Sequence, residues 1–316
     1  MGRAFLTRGS IDPIQTTLAR GYVPSGTIGS KLFPFVEVDK EGGQILEFGK
    51  ELFLHHNTLR AMGANRNVIQ GAKPTAKKWA LEEHELSTAY DYREVKEAAY
   101  NAQTNARLQA QNGVMMDHEI ICATLASSTA NYASGHYETL SGTDIFDNAA
   151  SLPIDIIMDG KEVVRKSIGQ NANVGWCGMS TYIALKTNPQ ILKMFPMTLD
   201  GRISHAQLLS ALELDEIFIG EGVYLPDTAA ENAANMTDIW GDDFGLLYMP
   251  ADYRTSEKPN YDELRPYFGY TRRLRGFPFV DEWGSDKKNL YMGYTDLFDV
   301  SIQGPDSAYL IKNCRS

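Results

Sequence analysis

DYREVKEAAYNAQTNARLQAQNGVMMDHEIICATLAS, residues 91–127, decides the fold. It holds no proline and a single glycine, Gly113, and is rich in Ala, Glu, Gln, Arg and Leu, all good helix formers. Val95, Ala99, Ala102, Ala106, Ala110 and Gly113 recur on one helical face. Asp91 reads as the N-cap, with Glu94 placed as in a capping box. The pattern predicts one helix over the whole stretch, roughly 55 Å long at about 1.5 Å per residue. A compact chain of 316 residues has a radius of gyration of about 20 Å, so such a helix crosses the whole molecule as a spine. No second helix of that length pairs with it, which argues against a bundle and for a flat, elongated subunit.

Working outward, the stretch before the spine does not read as core. AMGANRNVIQGAKPTAKKWAL (61–81) holds a Gly-Ala-Lys-Pro turn and the cations Arg66, Lys73, Lys77 and Lys78. Its apolar residues Val68, Ile69, Trp79 and Leu81 are too scattered to make a stripe. GGQILEFGKELF (42–53) reads as a strand between glycines, and the chain is extended again from Lys77 to Glu85. Residues 42–86 therefore form a long two-stranded excursion. An isolated hairpin is marginal in water, so it needs something to lie on. Residues 1–40 are an irregular lead, and TIGSKLFPFVEV (27–38), with Pro34 among aromatics and valines, suits an extended arm better than a helix.

Beyond the spine and a polar loop near 128–150, SLPIDIIMDGKEVVRKSIG (151–169) is an amphipathic helix. Pro153 lies in its first turn, and Ile154, Ile157, Val164 and Ile168 mark the buried face. NVGWCGM (173–179) reads as a buried strand, STYIALKTN as a helix, AQLLSALEL (206–214) as a helix and EIFIGEGVY (216–224) as a strand. IWGDDFGLLYMP (239–250) is strand-like, and everything after Tyr267 reads as strands. Helices and strands alternating in the middle, with strands bunched at the end, give an α+β class without internal repeats.

The totals, 43% hydrophobic and 22% charged, are those of a globular protein. No run of 18 apolar residues exists to span a membrane. The start lacks a signal-peptide stretch, and Leu6 stands where a myristoylation signal wants Ser or Thr, so the expectation is cytoplasmic synthesis. A net charge of −10 argues against a protein that grips nucleic acid, though not against one that surrounds it. Cys122, Cys177 and Cys314 are far apart and form no CxxC pair, so free thiols are expected rather than disulfides or structural zinc.

Candidate chemistry is sparse. His55 and His56 are vicinal, which is awkward for metal ligation in an extended segment, and Asp117, His118, Glu119 and Cys122 lack an HExxH pattern. GEG (220–222) lacks the spacing of a nucleotide loop. Ser167 and Ser180 lie in no GxSxG context. Asp242 and Asp243 read as a solvated turn rather than paired acids. RRLR (272–275) reads as an interface or salt-bridged face, with phosphate contact as the sharper alternative. No metal, cofactor or catalytic set emerges; what remains is an architecture for contacting neighbours.

The sequence resembles the major capsid proteins of tailed bacteriophages with the Hong Kong 97-type fold. The resemblance is carried by VPSGTIGSKLFPFVEVDKEGGQILEFGKE (23–51), SIGQNANVGWCGMSTYIALKTNP (167–189), LLSALELDEIFIGEGVY (208–224), DIWGDDFGLLYMP (238–250), GYTRRLRGFPFVDEW (269–283) and SAYLIKN (307–313). It implies an N-terminal arm (1–40), an extended loop (41–86) and a peripheral domain with the spine helix (87–150). An axial domain (151–262) follows, then strands returning to the peripheral domain (263–316). It implies a non-enzymatic shell protein that assembles with itself as hexamers and pentamers, encloses double-stranded DNA without sequence-specific binding, and engages no membrane. A scaffolding protein, a portal and a decoration protein are the expected further partners. On this reading Arg60, Arg66, Lys73, Lys77, Lys78 and Trp79 of the loop contact the next subunit, the cations meeting acidic groups there. Gly113 serves either close packing or compliance of the spine. The Lys–Asn crosslink of some family members finds no residue-by-residue match. An encapsulin-like compartment shell and an α+β enzyme are the alternatives.

Overall fold

The computed structural model describes residues 10–11, 16, 26–47, 54–55, 58–60, 62, 65–68, 75–97, 101–195, 203–226, 236–255, 267–284 and 288–315. The described elements begin with strand β1 (Ser10–Ile11), helix α1 (Gly29–Leu32), β2 (Phe35–Val38), β3 (Gly42–Glu47), β4 (Thr75–Ala80) and β5 (Glu82–Asp91). Helices α2 (Glu94–Glu97) and α3 (Ala102–Ser127) follow.

The spine, α3, starts later than its composition predicts. Asp91 pairs with Asn289 at the end of a strand ladder, and its carboxylate accepts the Arg93 N–H at 2.8 Å, which turns the chain. Among the described residues, only the single turn α2 remains of the expected first part. Asn101 is the true N-cap, accepting the Thr104 N–H at 3.0 Å. The helix has 26 residues and is about 39 Å long. Ala102, Ala106 and Ala110 are buried as expected, whereas Val95 is half exposed and Ala99 lies outside the described residues.

The spine packs on a six-stranded sheet. Its central strand is β14 (Asn289–Ile302). Along one edge of β14 lie β12 (Gly269–Leu274) and β13 (Phe279–Gly284) end to end; along the other lies β5. β2 joins β12 in parallel and β1 joins β13. The alanines of α3 let the helix approach the sheet, and Val280, Met292, Tyr294 and Phe298 fill the layer between. The lead segment is not wholly extended. α1 forms one helical turn with Leu32 and Phe33 fully buried, because its first N–H groups find a buried acceptor on α3.

A second, five-stranded sheet has the order β6 (Tyr137–Thr139), β15 (Ala308–Lys312), β11 (Phe244–Leu247), β7 (Val174–Gly178) and β8 (Glu216–Gly220). Both faces of its inner strands β7, β11 and β15 are covered, so those strands are buried almost throughout, whereas the edge strand β6 is exposed. Trp176, Phe218, Leu247 and Leu310 face the first core. Cys177, Ile217, Leu246 and Ile311 face α4 (Pro153–Ile168) and α7 (His205–Leu212). Between those helices run α5 (Met179–Thr187) and α6 (Pro189–Met194). Helix α4 follows the sequence closely: Pro153 opens it, Ile157, Val164 and Ile168 are buried, and Gly169 closes it at φ 71°. Ile154 is only partly buried.

The sequence reading bunched every strand after Tyr267 together. The structure divides them: β12, β13 and β14 share the sheet under the spine, but β15 pairs with β11 and β6 in the other sheet. The expected strand 216–224 is also broken, into β8 and β9 (Val223–Tyr224), the latter pairing with β10 (Thr237–Asp238). After β11 the short helix α8 (Ala251–Thr255) precedes β12.

Candidate assembly interface

β3 and β4 form the predicted antiparallel pair, in register from Gly42↔Ala80 to Glu47↔Thr75, with the base closed by Leu81 N–H donating to Glu41 O at 2.8 Å. Among the described residues no backbone ladder joins this pair to either larger sheet. Between its strands, Leu54, Leu59, Met62 and Val68 are 60%, 84%, 103% and 86% exposed. Four large apolar side chains so far into water within one short stretch exceed the single exposed apolar residues usual on a protein surface. The sequence reading noticed only Val68 among them; the missed signal is that Leu54, Leu59 and Met62 sit in a polar stretch with no periodic face to join.

Arg60 and Arg66 are exposed beside these residues, and Lys73 lies outside the described ones. On β4, strand alternation separates the remaining candidates. Lys77 donates from Nζ to Ile302 O at 2.6 Å, and the Trp79 ring lies 5.6 Å from the Arg272 guanidinium; both contacts are with the chain's own sheet. Lys78, on the opposite face of the strand, is exposed. Gly113 faces β5, and a Cβ there would overlap Leu86 Cδ1, the far end of a half-exposed side chain.

The other candidates have structural partners. His55 is exposed and His56 lies outside the described residues. The Glu119 carboxylate is buried and accepts three hydrogen bonds, from Ile28 N–H at 2.7 Å, Gly29 N–H at 2.8 Å and Trp240 Nε1–H at 2.6 Å. Burial pushes its pKa up, and these three donors oppose the rise. His118 is buried against Phe35 and Phe298, with Nε2 3.0 Å from Thr271 Oγ1. Burial lowers its pKa to about 3, aided by Arg273 and His84. Asp117 pairs with His84 at 3.1 Å. No group of three metal-ligating side chains forms among the described residues. The three cysteines are buried and form no disulfide, and burial raises each thiol pKa.

Glu221 and Gly222 form a turn, with Glu221 N–H donating to Gly26 O and Gly222 O accepting from Ile239 N–H. Ser180 donates to Asp242, Ser167 is half-buried on α4, and Asp243 pairs with Lys312 at 3.2 Å. Asp243 is buried, so it is not the solvated turn residue the sequence suggested. Each arginine of RRLR meets a carboxylate of its own chain: Arg272 meets Asp299 at 3.8 Å, Arg273 meets Asp296 at 2.6 Å and Arg275 meets Asp39 at 2.9 Å. This is a salt-bridged face.

No protein-family model matches the sequence. The major capsid protein of Burkholderia phage BcepMu is 36% identical over 311 residues, 98% of each chain. A phage-related protein from Bordetella bronchiseptica has a solved structure that is 26% identical, with a TM-score of 0.78 over 97% of this chain and 98% of that one. Two more distant structures share the fold alone. The capsid of cyanophage P-SCSP1u is 13% identical, with a TM-score of 0.59 over 92% of this chain and 90% of that one. The SrpI encapsulin of Synechococcus elongatus is 11% identical, with a TM-score of 0.53 over 92% and 89%. A hairpin outside both sheet ladders, large apolar side chains left in water, buried titratable candidates held by structural partners and a near full-length match to a capsid protein converge: the chain belongs to the phage major capsid protein family.

Proposed function

We propose that this chain assembles as hexamers and pentamers into the icosahedral head shell of a tailed phage, enclosing double-stranded DNA, with the Hong Kong 97-type arrangement. On this reading residues 1–40 are the arm, 41–86 the extended loop, 87–150 the peripheral domain, 151–262 the axial domain and 263–316 the returning strands. The topology suggests one refinement, that β6 and β15 belong with the axial sheet. The chain is made in the host cytoplasm, works in the virion capsid, and meets a scaffolding protein, a portal and a decoration protein. The observation that carries the reading is the exposed apolar tip between β3 and β4, which a neighbouring subunit would cover.

The test is light scattering after size exclusion, with negative-stain microscopy of the chain expressed with and without its scaffold. Capsomers or shells are expected. A clean monomer at every concentration, scaffold present, would sink the proposal. The likeness to the SrpI encapsulin supports a second reading, a compartment with protein cargo. Nuclease-protected DNA inside particles from infected cells favours the head shell; a co-purifying enzyme without DNA favours the compartment.

A further inference from the structure

The hairpin β3–β4 has two chemically different faces at its base. On one face Lys77 and Trp79, two residues apart on β4, reach the chain's own sheet. Lys77 Nζ donates to Ile302 O, the last carbonyl of β14, at 2.6 Å, and lies in the field of Asp299. Trp79 pairs directly opposite Gly43, where a Cβ would meet its ring at 2.9 Å, so only glycine lets the indole lie flat across the hairpin. Above the indole is the guanidinium of Arg272, 3% exposed, bonded through Nη1 to Ser301 and facing Asp299. Its Nη2 is buried and has no hydrogen-bond partner among the described residues. The indole face stands in place of that missing acceptor.

We infer that Lys77, Trp79 and Arg272 form a releasable latch that sets the angle at which the hairpin leaves the body. Opening it is inexpensive for two reasons. Lys77 is exposed, so water replaces the Ile302 carbonyl at once. Lifting Trp79 hydrates the orphaned Nη2, which offsets the lost ring contact. The latch sits at the foot of a lever. The six-residue strands alone reach about 20 Å, so a rotation of about 10° at the base moves their far end by about 3–4 Å. That is enough to take the exposed tip on or off a neighbour. The latch face and the Lys78 face are thus separate devices, one fixing the lever to its own body and the other free to meet a second copy. The consequence for particles rests on the shell reading; the latch itself does not.

The experiment is amide hydrogen exchange on the full-length, unassembled chain, with particles examined by electron microscopy. Lys77→Met keeps the stem and removes the donor; Trp79→Leu removes the ring. Each should raise exchange at residues 75–80 by about tenfold while leaving 82–91, held by β14, unchanged. Lys78→Met, on the other face, should leave exchange at 75–80 unchanged. Particles of both latch variants should spread in diameter. The latch is overturned if exchange at 75–80 is unmoved in both variants, or rises equally with Lys78→Met. Uniform particles despite faster exchange overturn its positioning role. Absence of particles from the wild-type chain with its scaffold overturns the shell reading instead, and leaves the exchange comparison to decide the latch.

Discussion

Glu119 Oε1 accepts the indole N–H of Trp240 at 2.6 Å, and the same oxygen accepts the Ile28 N–H at 2.7 Å. Trp240 in turn meets Trp176 of β7 edge to face, with ring centroids 5.2 Å apart. One buried carboxylate on the spine thereby holds the incoming chain at α1 and the second sheet together. Glu119→Gln keeps the shape but turns one acceptor into a donor, so at least one of the three N–H groups faces a donor in the core. We expect a loss of about 1–3 kcal/mol. Differential scanning calorimetry of unassembled chain checks it; an unchanged melting temperature would show that the carboxylate is not what joins the two sheets.

Thr271 Oγ1 donates to Phe33 O at 2.9 Å, so at its contact with His118 it accepts, and the neutral imidazole carries its proton on Nε2. The folded pKa is lowered to about 3 from 6.5. Between those values the unfolded chain binds a proton that the folded chain does not. Stability from this group is therefore full above the unfolded pKa and is lost as pH falls, by up to about 1.4 kcal/mol per unit. His118→Leu removes this dependence. Urea denaturation at pH 7.5 and pH 5 should give a smaller acid-induced loss in the variant than in the wild-type chain. Equal losses would mean that His118 is not kept neutral by its core site.

Leu59→Ser with Val68→Ser tests the apolar tip. Both residues are almost fully exposed, so the subunit should melt within about 0.5 kcal/mol of wild type. Particle yield should nevertheless collapse, because the covered surface has lost its apolar content. Arg60→Glu, Arg66→Glu and Lys78→Glu together should act similarly, through repulsion that can reach several kcal/mol. Sedimentation of assembly reactions reads both; normal yields would remove the tip and its cations from the subunit contact.

Gly113→Ala places its methyl against Leu86 Cδ1. Because that atom ends a flexible, half-exposed side chain, it can swing aside, and alanine regains about 1 kcal/mol of helix propensity. The packing role then predicts a melting temperature within about 1 kcal/mol of wild type. Gly113→Val should be clearly worse, and Leu86→Ala should relieve it in a double-mutant cycle. If compliance of the spine is the role, Gly113→Ala melts higher and its defect appears only in particles.

Much of the fold follows from local pattern. The amphipathic period and Pro153 specify α4, and its end at Gly169 matches a left-handed cap. The proline-free alanine run specifies the body of α3, and the glycine-flanked segments specify the β3–β4 pair. The start of α3 did not follow. Asp91 and Glu94 look like a capping box in isolation, but the ladder between β5 and β14 captures Asp91 first. Cross-strand pairing outweighs a local capping preference of about 1 kcal/mol.

The interface residues divide in the same way. Composition alone marks residues 61–81 as a cation-bearing stretch that does not read as core. Which of its side chains face outward depends on strand alternation and on what lies beneath β4, so Lys77 and Lys78 look alike in sequence and differ in space. By itself the sequence determined the body of α3, helices α4, α5 and α7, the hairpin and the family resemblance, because these depend on periodicity, backbone preference and the order of phrases along the chain. Only the tertiary structure decided the sheet to which β15 belongs, the carboxylate that joins the two sheets and the face of β4 that meets the body. Those depend on pairings between residues far apart in the chain, whose free energy comes from burial and hydrogen bonds that no short stretch contains.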